Sequence, residues 1–216
     1  MASINGGHPG DAAAVASAAI VIIRRAVASD IEPAVAVLMT GFVSDPVLVW
    51  LVPDDRPRRR FLRDFFHAVF ADSHEGGELH VAEDDGDVCG VAVWYPPGRV
   101  SAPTGPAMDN ALAGLDDTDL DRLALLRKAT AEHDPINPHF YLWLMAVDPE
   151  RQGAGIGGGL LTAVLDICDE RQTLAFLEAT RPENRRLYER YGFEATGEIP
   201  LPDGPTKWPM LRPPQA

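Results

Sequence analysis

Residues 141–161 read YLWLMAVDPERQGAGIGGGLL, and the order of residue types within them decides the fold. Tyr141–Val147 is an apolar run with no helical period, rich in aromatic and large apolar side chains, which is the pattern of a buried strand. Asp148–Pro149 ends it, because proline offers no N–H to a ladder and starts a turn. Gln152–Gly159 is then a glycine run. From Ile156 onward Leu160, Leu161, Val164, Leu165 and Cys168 recur at helical spacing, so an amphipathic helix begins inside the glycines. A strand, a glycine loop and a helix N-terminus together make an anion site. The loop N–H groups have no internal partner, and the helix dipole adds partial positive charge. Glycine permits the unusual dihedrals and the close approach of a phosphate.

Gly153-x-Gly155-x-x-Gly158 matches the dinucleotide fingerprint literally, but the context does not. In a dinucleotide fold the first glycine follows the strand almost at once and further βα units follow. Here Asp148–Gln152 intervenes and too little chain remains. The phosphate-loop ending Gly-Lys-Ser/Thr is absent.

The stretch resembles the acyl-CoA-binding motif of the GNAT superfamily of N-acetyltransferases, Gln/Arg-x-x-Gly-x-Gly/Ala. Gln152-x-x-Gly155-x-Gly157 fits that pattern after the strand ending Ala146-Val147-Asp148-Pro149. Phe176–Phe193, FLEATRPENRRLYERYGF, looks like the family's next strand, its asparagine, a tyrosine four residues on, and a Gly-Phe turn. In appearance the chain is most similar to puromycin N-acetyltransferase-like members. The shared features are Ala92-Val93-Trp94, the Ala175–Glu178 strand, Tyr188-Glu189-Arg190 with Gly192-Phe193, and a closing segment like Pro205–Met210. The resemblance covers about Ile20 to Arg212 and is strongest from Tyr141 onward.

The resemblance implies acetyl-CoA as acyl donor, with its pyrophosphate on Gln152, Gly153, Ala154, Gly155, Ile156, Gly157 and Gly158. It implies a pantetheine arm paired with the main chain of Met145, Ala146 and Val147, freed by splaying at a bulge near Met145–Val147. Carried over by motif, Asn184 hydrogen-bonds that arm and Tyr188 protonates the leaving thiolate. The sequence independently places these two on one helix face, four residues apart. A buried core tyrosine at 188, and a helix cap at Asn184 within Pro182-Glu183-Asn184, are the structural alternatives. The base is open among Glu178 at the end of the following strand, His139, Glu83, Tyr95 and a water chain.

His133 and His139 lack metal-ligand spacing, so no metal site is read. No Gly-x-Ser-x-Gly elbow exists and no cysteine neighbours a histidine, which favours direct attack in a ternary complex over covalent catalysis. The expected function is acetyl-CoA-dependent transfer of acetyl to a primary amine of a small molecule. Transfer to a protein or peptide amine, and a catalytically silent acyl-CoA-binding module, are the alternatives.

Composition sets the surroundings. The 216 residues suit one medium α/β domain over 20–216, after a loose tail at 1–19 rich in alanine, glycine and serine. Lys plus Arg is 19 and Asp plus Glu is 32, a formal charge of −13 that argues against a nucleic-acid surface and would steer a cationic amine. Arg151, Arg185 and Arg186 are the cations near the motif that could meet a polyanionic cofactor. The only cysteines, Cys89 and Cys168, read as buried free thiols and point to the cytoplasm. No segment is long and apolar enough to span a membrane. A monomer or homodimer is expected.

Taken in order, Ile20–Arg24 reads as a strand and Ser29–Pro33 as the start of a helix that stops near Gly41. Val47–Val52 reads as a short helix and Arg58–Phe70 as an amphipathic one with an aromatic face. Leu79–Glu83 and Val88–Trp94 form a hairpin about Asp84–Asp87, and Val100–Gly105 is a linker. Ala107–Ala131 is helical with an acidic interruption at Asp116–Asp121 that divides it in two. Thr173–Glu178, Phe193–Ile199 and Lys207–Leu211 are strands and Glu183–Tyr191 a helix. Pro209 would confine the last strand to an edge or a bulge. The sum is an α/β fold with a central mixed, mostly antiparallel sheet of about seven strands and helices on both faces.

Overall fold

The computed structural model describes residues 21–73, 77–98 and 104–215. The expected tail at 1–19, Ile20 and residues 100–103 of the linker lie outside the described residues. The strands are β1 (Ile22–Arg25), β2 (Glu78–Asp84), β3 (Asp87–Tyr95), β4 (His139–Val147), β5 (Leu174–Ala179), β6 (Glu194–Ala195), β7 (Ile199–Pro200) and β8 (Thr206–Arg212). The helices are α1 (Ile31–Phe42), α2 (Pro46–Leu51), α3 (Asp55–Ser73), α4 (Pro106–Leu112), α5 (Asp117–Ala131), α6 (Ile156–Glu170) and α7 (Pro182–Glu189). They form one sheet in the order β1-β2-β3-β4-β5-β8-β6, with β7 also on β8. Among the described residues only β4 and β5 pair in parallel, joined by the α6 crossover.

Local signals account for most boundaries. Asp85 and Gly86, at φ 52° and 87°, turn the β2–β3 hairpin at the Asp-Gly pair. Asp116 caps α5 by accepting from the Asp119 N–H at 2.9 Å, so the acidic interruption is a helix start and the segment is two helices. The expected strand Phe193–Ile199 is instead two short strands of two residues each. Pro209 is the reason, and its own placement corrects the edge expectation. β8 lies inside the sheet between β5 and β6. The Pro209 carbonyl accepts from Thr196 N–H at 2.9 Å, so its missing N–H faces that same side. The ladder breaks there, between β6 and β7.

The sheet has a core on each face. α1 and α3 cover one, with Leu38, Phe61, Leu62, Phe66 and Phe70 against Val81, Val91, Tyr95 and Phe176. α6 covers the other, with Ile156, Leu160, Leu161 and Val164 against Ala82, Ala92, Trp94 and Leu142. Helix α1 crosses β4 so closely that a Cβ on Gly41 would lie 2.7 Å from Ala146 Cβ. Gly41→Ala is therefore expected to cost about 1–3 kcal/mol through overpacking, read as a lower denaturant midpoint at unchanged slope.

Candidate active site

The central strand is the first element to consider. β3 and β4 slip register between Val93 and Trp94, whose partners are Leu144 and Leu142. Trp143 is thus the extra residue of a bulge, two residues earlier than the expected bulge at Met145–Val147. The consequence is visible in the packing. Trp143 and Leu144, consecutive in sequence, both join the α1/α3 core, while Leu142 and Met145 join the α6 core. Parallel pairing with β5 ends at Leu142 with Leu177. Beyond it β4 pairs only with β3, and a gap opens between β4 and β5.

Strand alternation says which groups face the gap. Asp148 N–H donates to Cys89 O at 2.9 Å, so Ala146, two residues back, also turns its main chain to β3. Met145 and Val147 turn theirs to the gap. Ala146 has its main chain in the β3 ladder and its side chain against Gly41. Gln152 Nε2 reaches back to donate to Val147 O at 3.2 Å.

The glycine loop has the geometry its sequence implies. Gly153 and Gly155 stand at φ 84° and 83°, in open space. Gly155 is the N-cap of α6 and, having no side chain, leaves the first turn uncapped. The first main-chain bond of the helix region is Gly159 N–H to Gly155 O. Among the described residues, the N–H groups from Gln152 to Gly158 enter no main-chain bond. Ile156 contributes only such an N–H, since its side chain is buried. Gly158 has a second duty: a Cβ there would overlap the Tyr191 hydroxyl.

Helix α7 closes the gap from the other side. At Gly157 an added Cβ would meet Leu187 at 3.5 Å, Val147 at 3.9 Å and Met145 at 4.0 Å. The loop, the free edge of β4 and α7 therefore converge on one groove. Asn184 and Tyr188 flank Leu187 on the same helix face. Arg181, not Asn184, is the N-cap of α7, which removes the capping alternative for Asn184. Tyr188 is 7% exposed, its ring set edge-on to Phe193, and burial with Asp45 nearby holds its phenol above the ordinary value. It keeps its proton at neutral pH.

The expected cations are mostly engaged elsewhere. Arg151 is bound to Asp84 of the hairpin and lies 3.9 Å from Asp87. Arg185 bonds Glu189 at 2.8 Å. Arg186 is exposed and has no ion pair among the described residues. Of the candidate bases, Glu83 is held by Arg24 at the β1 edge, 2.6 Å away. His139 is occupied at both ring nitrogens, by Asn137 O at 2.9 Å and Asp134 at 3.3 Å. Glu178 stands at the gap with its side chain only 3% exposed. One oxygen accepts from the Tyr141 hydroxyl at 2.7 Å and lies 3.8 Å from Lys207 Nζ, and the other is buried without a partner.

Residues that motif reading did not single out complete the site. Asp45 caps α2 through the Val47 N–H at 2.9 Å and accepts from Thr180 at 2.6 Å, pinning an early helix to the end of β5. Asp45-Pro46 is a cap-and-proline helix start that the sequence displays. Lys207 also donates to Thr130 of α5 at 3.1 Å. That link and the Tyr141–Glu178 bond join residues remote in sequence, with no local signal.

The architecture has counterparts among known proteins. A family model described as the acetyltransferase (GNAT) family matches residues 45–193. The chain belongs to that family. It is 27% identical over 209 residues to an uncharacterized N-acetyltransferase of Schizosaccharomyces pombe, covering 89% of this chain and 83% of the relative. It superposes on a structure described as histone acetyltransferase HPA2 and related acetyltransferase from Corynebacterium glutamicum with a TM-score of 0.72, at 26% identity, over 91% of this chain and 97% of that one. The PaiA N-acetyltransferase of Thermoplasma acidophilum, solved with coenzyme A, shares the fold at a TM-score of 0.58 and 11% identity, over 90% and 99%. This GNAT protein is an N-acetyltransferase, and acetyl-CoA is its acyl donor. The groove's chemistry suits that donor, since free N–H groups at positive-φ glycines are complementary to a pyrophosphate and an unpaired strand edge is complementary to an amide-bearing arm.

Proposed function

We propose that this GNAT enzyme transfers acetyl to a primary amine of a small molecule, by direct attack within a ternary complex. The observation that carries the reading is the pairing of two half-sites across one gap. On the α6 side lie the uncapped loop Gly153–Gly158, the free edge at Met145 and Val147, and Asn184 with Tyr188. On the α1/α3 side lie Glu178, Tyr141 and the aromatic rings of Tyr95, Trp143 and Phe65. The donor supplies an activated thioester. The loop and Gln152 hold its pyrophosphate, the Met145 and Val147 main chain and Asn184 hold its arm, and Tyr188 donates a proton to the leaving sulfur. Glu178 is the base. Acid and base thus approach from opposite faces, as a direct transfer requires.

The net charge of −13 and the limited space beside Tyr141, about 290 Å³, favour a small cationic acceptor over a folded one. Cytoplasmic residence is inferred from two buried free cysteines. Among the described residues no helix is long and apolar enough to cross a membrane.

Calorimetric titration with acetyl-CoA, coenzyme A and NAD, followed by a thiol-release screen of amines, tests the reading. Binding of the first two but not NAD, and turnover of a small amine, is expected. Turnover of peptide N-termini or lysines alone would overturn the acceptor assignment. Gly155→Trp tests the loop. A non-glycine residue at φ 83° costs about 1–2 kcal/mol, and an indole would cover the N–H cradle. Acetyl-CoA affinity is expected to fall about 100-fold or more while the protein stays folded, because the position is exposed and touches nothing.

A further inference from the structure

Glu178 cannot meet an acceptor directly as it stands. Its side chain is 3% exposed, and its unpaired oxygen has no access to solvent. It does not line the cavity of about 290 Å³ that opens beside β4. Tyr141 does. The ring of Tyr141 forms a wall of that cavity, stacks on Phe176 at 5.8 Å and sends its hydroxyl to Glu178 at 2.7 Å. The other walls mix flat apolar groups, Tyr95, Pro135, Ile136 and Pro138, with the polar Asp134, Asn137 and His139. Behind the carboxylate, Lys207 at 3.8 Å and its bond to Thr130 hold the far side closed. A hydrogen-bonded route from the cavity wall to the buried carboxylate runs through the Tyr141 hydroxyl.

We propose that Tyr141 is a catalytic residue that relays the acceptor's proton to Glu178, and that the acceptor is a primary amine whose flat part stacks on the apolar side of this cavity, against Tyr95, Tyr141 and Ile136. This deepens the acetyl-transfer reading and rests on it. The step balances as follows. The neutral amine nitrogen forms its bond to the acyl carbon and gives one proton to the Tyr141 oxygen. Tyr141 gives its own proton to Glu178. The carbon–sulfur bond breaks, its electron pair leaves on sulfur, and Tyr188 protonates that sulfur. The proton then leaves Glu178 by way of Tyr141 to solvent, and solvent reprotonates Tyr188. Burial and the neighbouring carboxylate hold the Tyr141 phenol above its ordinary value, so it resets to the protonated form between turnovers.

The test uses phenylethylamine as probe and putrescine as comparator, with thiol release, calorimetry and thermal melts on the full chain. Phenylethylamine is expected to exceed putrescine in kcat/KM by about 10-fold or more, one to two apolar contacts' worth of discrimination. Tyr141→Phe keeps the ring and its stacking on Phe176. It is expected to lower kcat by about 30-fold or more, to leave calorimetric binding of phenylethylamine and coenzyme A within about threefold, and to move the pH–rate curve upward as the amine's own ionisation takes over. Glu178→Gln should be at least as impaired. If Tyr141→Phe keeps its rate while Glu178→Gln loses it, Glu178 acts without a relay and the proposal fails. If both keep their rates, the base lies elsewhere and the proposal fails with it. Preference for putrescine, or no turnover of phenylethylamine, removes the acceptor class. Failure of the acetyl-transfer reading is distinguishable, because coenzyme A would then not bind at all.

Discussion

Tyr188→Phe is expected to slow acetyl transfer by about 10²–10³-fold while acetyl-CoA binds as tightly as before. The phenol sits on α7 beside the convergence of Gly157, Val147 and Leu187, and its ring is locked against Phe193. Phenylalanine keeps that packing and removes only the hydroxyl. The hydroxyl has no hydrogen-bond partner among the described residues and is not one of the sealed, unpaired polar atoms. Its removal leaves no orphaned group, so stability should change by less than about 1 kcal/mol. Burial and Asp45 hold its proton above the ordinary range. Proton delivery to sulfur therefore stays available across neutral pH in the native enzyme. In the variant, water must supply the proton, and the loss in rate should be present at every pH at which the amine is neutral. Equal kcat in the two proteins would return Tyr188 to the core-tyrosine role that its burial also allows.

The second large effect concerns stability. Arg212 of β8 is 4% exposed at its side chain and makes two hydrogen bonds of 2.7 Å to Asp169 of α6, while its Nε donates to Tyr191 O at 2.9 Å. Asp169 also accepts from Gln215 N–H at 2.7 Å. One ion pair thus ties the crossover helix to the last strand and the turn after α7. Asp169→Leu strands a buried guanidinium, which costs several kcal/mol when both partners are enclosed. Asp169 is 25% exposed, so about 2–4 kcal/mol is expected, or roughly 5–15 °C in melting temperature.

The pH dependence follows from the same pair. The Arg212 hydrogen bonds hold the Asp169 carboxyl below the usual carboxylate range. A depressed carboxyl contributes stability that is complete above its unfolded value of about 3.9. That contribution is lost as pH falls through the folded value. Asp30, held down by its bonds to Arg24, adds in the same direction. The melting-temperature gap between native protein and Asp169→Leu should be constant near pH 7 and narrow below about pH 4. A gap that persists at low pH would mean that packing, not charge, carries the loss.

Much of this was legible from the chain because its signals are local. A strand, a proline stop, glycines and an amphipathic run are contiguous at 141–168, and each is decided by neighbours a few residues away. The Asp-Gly hairpin and the two helices divided at Asp116 are equally local. What escaped depends on pairing. Whether Trp143 or Met145 carries the bulge is fixed by the register with β3. The break of Phe193–Ile199 into two pieces is set by Pro209 on another strand. Asp84 claims Arg151 from 67 residues away, a competition that a positive residue beside a glycine loop does not reveal. The same holds for Tyr141, whose partner lies on the strand beyond the α6 crossover.

The break at Pro209 also bears on how the molecule keeps to itself. A sheet edge is a template for a foreign strand in proportion to the unbroken row of main-chain groups it offers. Beyond β8 this edge offers Glu194–Ala195 and Ile199–Pro200, two residues apiece, the second ending in a proline. A docking strand would find no run long enough to zip along. Self-assembly by strand addition is thereby discouraged at the β8 end of the sheet, and a proline inside the last strand is what discourages it.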